Sequence, residues 1–268
     1  MLTATFGITK EPFIRGAHTL LSQQQQILDV IKIHSQQGGF SVIIGNPGVG
    51  KTILREHIEA LNQHRHHIVV SFSRTMHTYL NILKQLAEAF QLDVGVSKIE
   101  KEIIQAAYGH IKDRKTLYIV IDEAHLMDLN VLRKLRLLFE RFPKKHSLIL
   151  LGQKDLLFYL SLSVNKDIQT RITFSQTLAP LNDQELHQYI LSELDHVGLG
   201  HHTFDPAAIE LILRSCEGNL RLCRNLCYGA LIETCRHNQK IVTIAHVNAM
   251  LIQPHWRSHD ELIKQQAA

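Results

Sequence analysis

The sequence has no long hydrophobic run, and this shortage excludes a membrane-spanning protein. None of its apolar stretches approaches the roughly 18–20 residues that a helix needs to cross a bilayer. The N-terminal segment, MLTATFGITKEPFIRG, also lacks a basic stretch followed by an apolar one, which is the pattern of a secretion signal. We therefore expect a cytoplasmic protein without a membrane partner.

Cysteine is scarce as well, and all four cysteines fall within residues 216–235. Their spacings, with six, three and seven intervening residues, do not provide the tight Cys-x-x-Cys pairs that are typical of a zinc site. In a reducing compartment we expect free thiols, partly buried on helices. These residues are Cys216, Cys223, Cys227 and Cys235.

Aromatic residues make up only 6% and charged residues 20% of the 268 positions, whereas 45% are hydrophobic. This composition is that of a globular protein and excludes a disordered or fibrous chain. A chain of this length can bury one large core, or a core together with a small second domain. The formal net charge of +4 is compatible with a polyanionic partner but does not by itself indicate one.

A glycine-rich segment, GNPGVGKT, follows a short apolar run and opens a helical pattern. Its spacing matches G-x-x-x-x-G-K-[ST], in which the glycines let the backbone wrap a phosphate with N–H groups pointing inward. The lysine is expected to reach the β- and γ-phosphates of ATP, and the threonine hydroxyl is expected to bind Mg²⁺. We assign nucleotide binding to Gly45, Asn46, Pro47, Gly48, Val49, Gly50, Lys51, Thr52 and Ile53.

An acidic pair follows a second apolar run, Leu117–Ile121. Asp122 and Glu123 then lie at the carboxyl end of a buried strand, where α/β sheets bind their ligands. Asp122 is expected to hold Mg²⁺, and Glu123 is expected to orient and activate the attacking water. The alternative is that the pair only caps the next helix. Its position after a phosphate loop favours an ATP hydrolase over a small-molecule kinase, which needs no water-activating glutamate.

Apolar runs alternate with helical patterns through the first two thirds of the chain, and only helical patterns follow Pro180. Such alternation predicts a three-layer α/β domain with a parallel sheet and helices on both faces. The predicted strands lie near residues 40–44, 67–72, 116–121, 147–151 and 171–175. The predicted domains are an α/β domain over 1–177, a helical domain over 178–253 and a polar tail over 254–268.

Three polar residues are candidate functional residues because of their positions relative to these motifs. Gln153 follows the fourth predicted strand, where its amide would touch the γ-phosphate and the attacking water. Arg171 precedes the fifth predicted strand, and Arg221 opens a helix of the second domain. Either arginine taken alone is more often a surface charge than a functional residue.

Together these features resemble the AAA+ ATPases, in particular their ExeA/GspA-type branch. The resemblance runs over roughly residues 5–253 and includes Pro12-Phe13, the sequence IDEAH, L-x-G-Q up to Gln153 and L-x-P-L after residue 177. It implies a P-loop three-layer αβα core with a five-stranded parallel sheet, followed by a small all-helical lid. It also implies ATP and Mg²⁺ as cofactors, and hydrolysis at sites shared between the subunits of a homo-oligomer, either a ring or a helical filament.

The resemblance further implies roles for individual residues. Gln153 corresponds to the sensor 1 position, Arg171 to an arginine finger offered to the neighbouring subunit, and Arg221 to the sensor 2 position. Phe13 is expected near the adenine. The candidate catalytic residues are Glu123, Arg171, Lys51 and Gln153.

The branch contains two kinds of ATPase. Secretion-assembly members continue into a membrane span and a wall-binding domain, and neither is found in this sequence, so we expect the other role. Short members encoded beside transposases resemble MuB, TniB and TnsC, which bind double-stranded DNA in an ATP-dependent assembly and recruit or stimulate a transposase. The alternative is a secretion-type ATPase that acts on protein partners without DNA.

DNA in the bore of such an assembly requires basic or hydrogen-bonding residues on the loops that face it. Two loops are candidates, and they contain Arg74, His77 and Lys98. A stretch over residues 133–145 carries six basic residues and one acidic residue, Glu140. We interpret it as a solvated basic face, with a DNA or subunit contact as the alternative.

Overall fold

The structure is a computed structural model that describes residues 2–13, 20–72 and 78–253. Its contacts divide the chain into two units. One unit is Leu20–Ala179, and the other combines the N-terminal residues, including α1 (Leu2–Phe6), with the chain from Pro180 onward. The domain predicted over 1–177 therefore differs at its N-terminal end, because the first residues group with the helical part of the chain.

Five strands form the first unit's sheet: β1 (Gly39–Gly45), β2 (His67–Phe72), β3 (Thr116–Ile121), β4 (His146–Gly152) and β5 (Phe174–Leu178). All pairings are parallel, and the strand order is β2-β3-β4-β1-β5. Every residue of β1, β3 and β4 is buried. Parallel strands covered on both faces are apolar almost throughout, which is why these segments are recognisable as continuous hydrophobic runs.

Strand register brings the ends of three strands to one edge of the sheet. Ile44 in β1 pairs with Gly152 in β4, and Ile121 in β3 pairs with Leu150 in β4. The glycine-rich loop leaves the sheet after β1, the acidic pair after β3 and Gln153 after β4. Ligands of parallel α/β sheets bind outside this carboxyl edge.

Helices cover both faces because successive strand residues point in opposite directions. Leu117 and Ile119 belong to the core on one face, whereas Tyr118 and Val120 belong to the core on the other. Fully burying one such aliphatic side chain contributes about 1.5–3 kcal/mol. The helices of this unit are α2 (Ser22–Ser35), α3 (Lys51–Ala60), α4 (Tyr79–Ala89), α5 (Ile99–Lys112), α6 (Leu129–Glu140), α7 (Lys154–Ser161) and α8 (Lys166–Gln169).

The second unit is helical. Asn182 begins one of its helices in a capping box with Glu185, and Asn219 begins another by accepting two backbone N–H groups through its side chain. Its four cysteines are free and buried. Besides α1, the helices of this unit are α9 (Asp183–Val197), α10 (Pro206–Cys216), α11 (Leu220–Arg236) and α12 (Ile244–Leu251).

The last strand differs from its predicted position. It begins at Phe174 rather than near Arg171, because the backbone at 170–172 still makes helix-type hydrogen bonds to α8. The two short helices α7 and α8 lie between β4 and β5, and α8 ends shortly before Arg171. Among the described helices, none combines the length and the apolar character that crossing a bilayer requires.

Candidate nucleotide site

The phosphate loop joins β1 to α3 and is shaped by its glycines. Gly48 and Gly50 have φ angles of 88° and 103°, in the left-handed region that glycine adopts without steric penalty. A Cβ placed on Gly45 would lie 2.7 Å from Val49 Cγ2, so this position has no room for a side chain. Residues 46–47 at the tip are exposed, whereas Val49 is buried in the core beneath. The tip is thus open to a ligand while its base is fixed.

Lys51 begins α3 and folds back over the loop. Its Nζ donates to the backbone oxygen of Gly45 at 2.6 Å and to that of Asn46 at 3.0 Å. Thr52 and Ile53 are half-buried in the same first turn. A helix N-terminus carries partial positive charge, so the ammonium group and the helix end both favour an anion at this place.

Asp122 is held by two groups at the end of β3. Its Oδ1 accepts the backbone N–H of Glu123 at 2.9 Å, and its Oδ2 lies 3.3 Å from Nη1 of Arg55. Burial raises the pKa of this carboxyl, while the N–H bond and Arg55 oppose the rise. Arg55 was not identified from the sequence. Arg55 lies four residues after Lys51 in a helix, so both side chains lie on one face. This spacing is the sequence signal that could have identified Arg55.

The oxygens at this edge fit a magnesium ion. The Thr52 hydroxyl and the Asp122 carboxylate are hard donors of the kind that Mg²⁺ prefers. The buried Asp122 carboxylate already has the Arg55 guanidinium as a cationic partner, as a buried charge requires. Within the described residues no group of three or more His, Cys, Asp or Glu side chains could hold a metal. Phosphate oxygens and water would therefore complete the coordination of Mg²⁺.

Glu123 adopts a backbone conformation that is uncommon for a residue with a side chain. Its φ of 51° and ψ of 36° lie in the left-handed region and turn the chain from β3 into a short 3₁₀ turn, Ala124–Leu126. Its side chain is 40% exposed, in contrast to the neighbouring Asp122. Strained backbone of this kind costs about 1–3 kcal/mol and clusters at functional sites. An accessible carboxylate beside a phosphate loop fits the activation of water.

His125 connects two of the candidate residues. Its Nε2 lies 3.0 Å from Nε2 of Gln153, and its Nδ1 lies 3.5 Å from Oε2 of Glu123. The tertiary structure thus brings Gln153 and Glu123 to the two ring nitrogens of one imidazole. His125 was not identified as a site residue from the sequence. The only signal there is its position in DEAH, two residues after Glu123.

Comparison with known proteins agrees with this architecture. Residues 33–160, just under half of the chain, match the family described as "AAA domain". No curated protein matches the sequence. A solved structure of the Aeropyrum pernix ORC2 protein, in ADPNP-ADP complexes, aligns with a TM-score of 0.69 and 16% identity, over 94% of this chain and 73% of that chain.

Two further solved structures are similar at the same low level of identity. The Aeropyrum pernix ORC1 protein in complex with DNA aligns with a TM-score of 0.65 and 15% identity, over 87% of this chain and 65% of that chain. The Thermotoga maritima RuvB Holliday junction branch migration motor aligns with a TM-score of 0.58 and 15% identity, over 90% of this chain and 72% of that chain. The chain has the P-loop AAA+ fold.

The AAA+ fold confirms the fold class predicted from the sequence. The family match, with the lysine, threonine and acidic pair of the motifs in place, identifies the chain as an ATP hydrolase. The fold implies nucleotide binding. The roles of individual residues remain predictions.

The two arginines that resemble AAA+ functional residues lie in different units. Arg171 follows α8, and its Nε lies 3.0 Å from Oε1 of Glu140 on α6. Its side chain is 59% exposed, and Arg136 shares the same carboxylate at 2.8 Å. Arg221 belongs to the second unit, where its side chain is exposed and its backbone N–H is capped by Asn219 Oδ1 at 3.0 Å. Glu140 was known from the sequence only as part of a basic stretch.

Phe13 has a different position from the one expected. Its ring is 3% exposed and packs edge-on against Tyr189 and Phe204, with centroid distances of 6.3 Å in both cases. Its backbone N–H donates to Oε2 of Glu193 at 3.1 Å. Since the ring is enclosed in the core of the second unit, no face is left for a base, and the expected adenine contact is wrong for this ring.

Only one of the three DNA candidates can be described. Lys98 is exposed immediately before α5, whereas Arg74 and His77 lie outside the described residues. In the basic stretch 133–145, three arginines lie within 4 Å of carboxylates. These pairs favour the interpretation of that stretch as surface structure. They are Arg133 with Asp167, Arg136 with Glu140 and Asp167, and Arg141 with Glu100.

Proposed function

We propose that this chain is an ATP-dependent AAA+ ATPase that assembles on double-stranded DNA and acts as a transposition helper, recruiting or stimulating a transposase. The observation that carries the ATP-dependent part is the convergence of Lys51, Asp122, Glu123 and Gln153 at one edge of the sheet. The ExeA/GspA-type motifs imply a branch in which the transposition helpers are one of the two kinds of ATPase. The structurally similar ORC1 protein in complex with DNA and the Holliday junction branch migration motor RuvB support action on DNA.

In the proposed mechanism ATP occupies the loop Gly45–Thr52. The Nζ of Lys51 exchanges the backbone oxygens of its own loop for β- and γ-phosphate oxygens, which accept more strongly because they are charged. Bound Mg²⁺ would supply neutralisation of the phosphate charge, with oxygens of Thr52 and Asp122 as its protein donors. The bound cation would then add to the compensation of the Asp122 carboxylate by Arg55.

Hydrolysis requires a water molecule in line with the γ-phosphorus. Glu123 accepts a hydrogen bond from this water and orients its lone pair for attack. Its carboxylate suits this role because it is exposed, while the neighbouring Asp122 is buried. Gln153 carries two amide N–H groups, one of which is assigned to the γ-phosphate or the water.

A complete site is proposed to need a second subunit. Arg171 is exposed on its own subunit and would offer its guanidinium to the nucleotide of a neighbour. Arginine fingers in related chemistry increase the rate by about 10³–10⁵. The pair with Glu140 is exposed, and pairs of this kind contribute about 0–1 kcal/mol, so Arg171 is released easily. Arg221 is assigned the sensor 2 role that the resemblance implies.

DNA contacts are assigned to phosphate groups rather than to bases. Lys98, together with Arg74 and His77, would neutralise phosphates of the DNA that runs through the bore of a ring or filament. Such contacts bind DNA independently of sequence and weaken steeply with salt, because binding releases counterions. Nucleotide dependence follows if only the ATP-bound assembly aligns these residues along the duplex.

Fluorescence polarisation of labelled duplex DNA tests the proposal over a salt series, with and without a non-hydrolysable ATP analogue. We expect binding that needs the analogue, with a logarithmic affinity that falls linearly with the logarithm of the salt concentration. Lys51→Ala should abolish the effect of the analogue, and Lys98→Ala should reduce the salt slope. Lys112→Ala, an exposed lysine at the other end of α5, is the matched control and should leave the slope unchanged.

Two outcomes would contradict the proposal at different levels. Absence of DNA binding despite analogue-dependent assembly would favour the secretion-type ATPase that acts on protein partners. DNA binding without any effect on a transposase encoded beside the gene, measured as strand transfer in a purified system, would retain an ATPase on DNA and exclude the helper role.

A further inference from the structure

An imidazole ring lies between the proposed water-activating carboxylate and the proposed sensor amide, and the mechanism above does not use it. The side chain of His125 is 9% exposed. One ring nitrogen, Nε2, lies 3.0 Å from the amide nitrogen of Gln153, and the other, Nδ1, lies 3.5 Å from Oε2 of Glu123. Nδ1 is buried, and within the described part of the chain it has no hydrogen-bond partner. A buried polar atom in that state is unfavourable, so a small movement that satisfies it is favoured.

Gln153 and Glu123, the two neighbours of the ring, favour one tautomer of His125. The amide nitrogen of Gln153 can only donate, so Nε2 of His125 must accept. In a neutral imidazole the proton then resides on Nδ1, which faces the Glu123 carboxylate. With the amide of Gln153 flipped, Nε2 would carry the proton and the lone pair of Nδ1 would face the carboxylate. Since that arrangement is repulsive, both contacts favour the Nδ1–H form.

The surroundings leave the ring little freedom to turn away. A Cβ on Gly152, directly before Gln153, would lie 2.8 Å from Leu156 Cδ2 and 3.5 Å from the backbone nitrogen of His125, so these segments are closely packed. The backbone N–H of Leu126 donates to the carbonyl oxygen of Glu123 at 2.9 Å and closes the turn that carries the ring. The backbone that carries the ring is therefore closely packed, and Gln153 contacts the ring itself.

We propose that His125 is a positioning residue that links Gln153 to Glu123. Its Nδ1–H donates to the Glu123 carboxylate when that carboxylate turns toward the ring, and this bond sets the angle at which Glu123 meets the attacking water. Gln153 holds Nε2 with one amide N–H and keeps the other for the γ-phosphate. Through Gln153 and His125, binding at the γ-phosphate position therefore changes the orientation of Glu123. This inference rests on the proposed role of Glu123 in hydrolysis.

Three variants of His125 separate positioning from a merely structural role. His125→Ala should lower kcat on the order of 10- to 100-fold with KM nearly unchanged, because the carboxylate loses its orientation but the phosphate loop is intact. His125→Asn retains a donor near the place of Nδ1 and should recover part of kcat, whereas His125→Gln retains a group only near Nε2 and should recover less. In a Glu123→Gln background, His125→Ala should have no further effect.

Two kinetic results would overturn the inference. One is a kcat of His125→Ala within twofold of the parental value. The other is a fall in kcat that is accompanied by an equal loss of nucleotide affinity and is not recovered by His125→Asn, since this is the behaviour of a damaged fold. Binding of a fluorescent ATP analogue and circular dichroism of each variant distinguish these cases.

A measurement without turnover tests the same contact. Nitrogen-15 NMR of the full chain labelled at its 18 histidines, with the His125 signals assigned by difference from His125→Asn, reports which ring nitrogen carries the proton. We expect the Nδ1–H form, with a shift toward Nε2–H in Gln153→Ala. A parental Nε2–H form would overturn the inference. If the parental protein hydrolyses no ATP under any condition, the proposed function fails, and this spectrum still decides whether the contact exists.

Discussion

The contact between Arg55 and Asp122 leads to a stability prediction that tests the site without turnover. Nη1 of Arg55 lies 3.3 Å from Oδ2 of Asp122, and the two side chains are 16% and 9% exposed. The substitution Arg55→Met keeps most of the aliphatic stem and removes the positive charge. Asp122 then keeps the backbone N–H of Glu123 as a donor and loses its charged partner.

The expected magnitude follows from the burial of this pair. A hydrogen bond to a charged group contributes about 1.5–3 kcal/mol, and removing one partner from a fully buried ion pair destabilises by about 3–5 kcal/mol. Arg55 meets Asp122 through one contact and keeps some exposure, and its second pair, with Glu59, is more exposed. We therefore expect Arg55→Met to lower the free energy of unfolding by about 2–3 kcal/mol. Arg214→Met is the matched control. Arg214 pairs with Glu210 on an exposed helix face, so the change should stay within about 0.5 kcal/mol.

Urea unfolding followed by circular dichroism measures both variants. The transition of the nucleotide-binding unit is recognised by its shift when ADP and Mg²⁺ are added, since a ligand of the folded state stabilises it. With saturating nucleotide and Mg²⁺ the difference between Arg55→Met and the parental protein should shrink, because a cation then faces Asp122. Equal stability of Arg55→Met and Arg214→Met, or a difference that nucleotide and Mg²⁺ leave unchanged, would refute this reasoning.

Three further predictions concern hydrolysis, subunit exchange and acidity. Glu123→Gln should bind ATP normally, stall hydrolysis and stabilise the oligomer in sedimentation, because the phosphate loop is unchanged and the water is no longer activated; hydrolysis at the parental rate would show that another group activates the water. Arg171→Ala should lose turnover and keep nucleotide affinity, and mixing it with Lys51→Ala should restore part of the activity if the finger acts between subunits; absence of rescue at every ratio would argue against a shared site. Burial lowers the pKa of His146 from its ordinary 6.5, while Nδ1 of this ring lies 2.7 Å from the carbonyl oxygen of Pro143. The folded state resists protonation of this ring. The ring's contribution to stability is therefore present above pH 6.5 and is lost as the pH falls through the lowered pKa of the folded state. Urea midpoints of His146→Gln should therefore depend less on acidity than those of the parental protein, and an unchanged dependence would contradict this reasoning.

Much of the α/β unit is predictable because its signals are local. Two predicted strands, 67–72 and 116–121, have the bounds that the structure gives them, since each is a continuous apolar run between polar turns. The last strand is displaced because the backbone after α8 completes a helical turn, which the spacing of apolar residues does not show. The fold class is confirmed, whereas the transposase and DNA remain proposed partners.

Contacts between distant segments were harder to foresee. His125 next to Gln153, and Arg171 next to Glu140, depend on strand order and on the rotamers of long side chains. The resemblance placed Phe13 beside the adenine. In the structure its ring packs against Tyr189 and Phe204, which lie far along the chain. Short motifs contain no information about such neighbours.

The sequence by itself determined the phosphate loop, the acidic pair and the alternation of strands and helices. Each depends on residues that are adjacent in the chain, such as glycines that permit positive φ and apolar runs that must be buried. Only the tertiary structure decided which side chains share the carboxyl edge of the sheet. The order β2-β3-β4-β1-β5 and its register bring the ends of non-consecutive strands together, and so place one imidazole between the sensor amide and the carboxylate proposed to activate water.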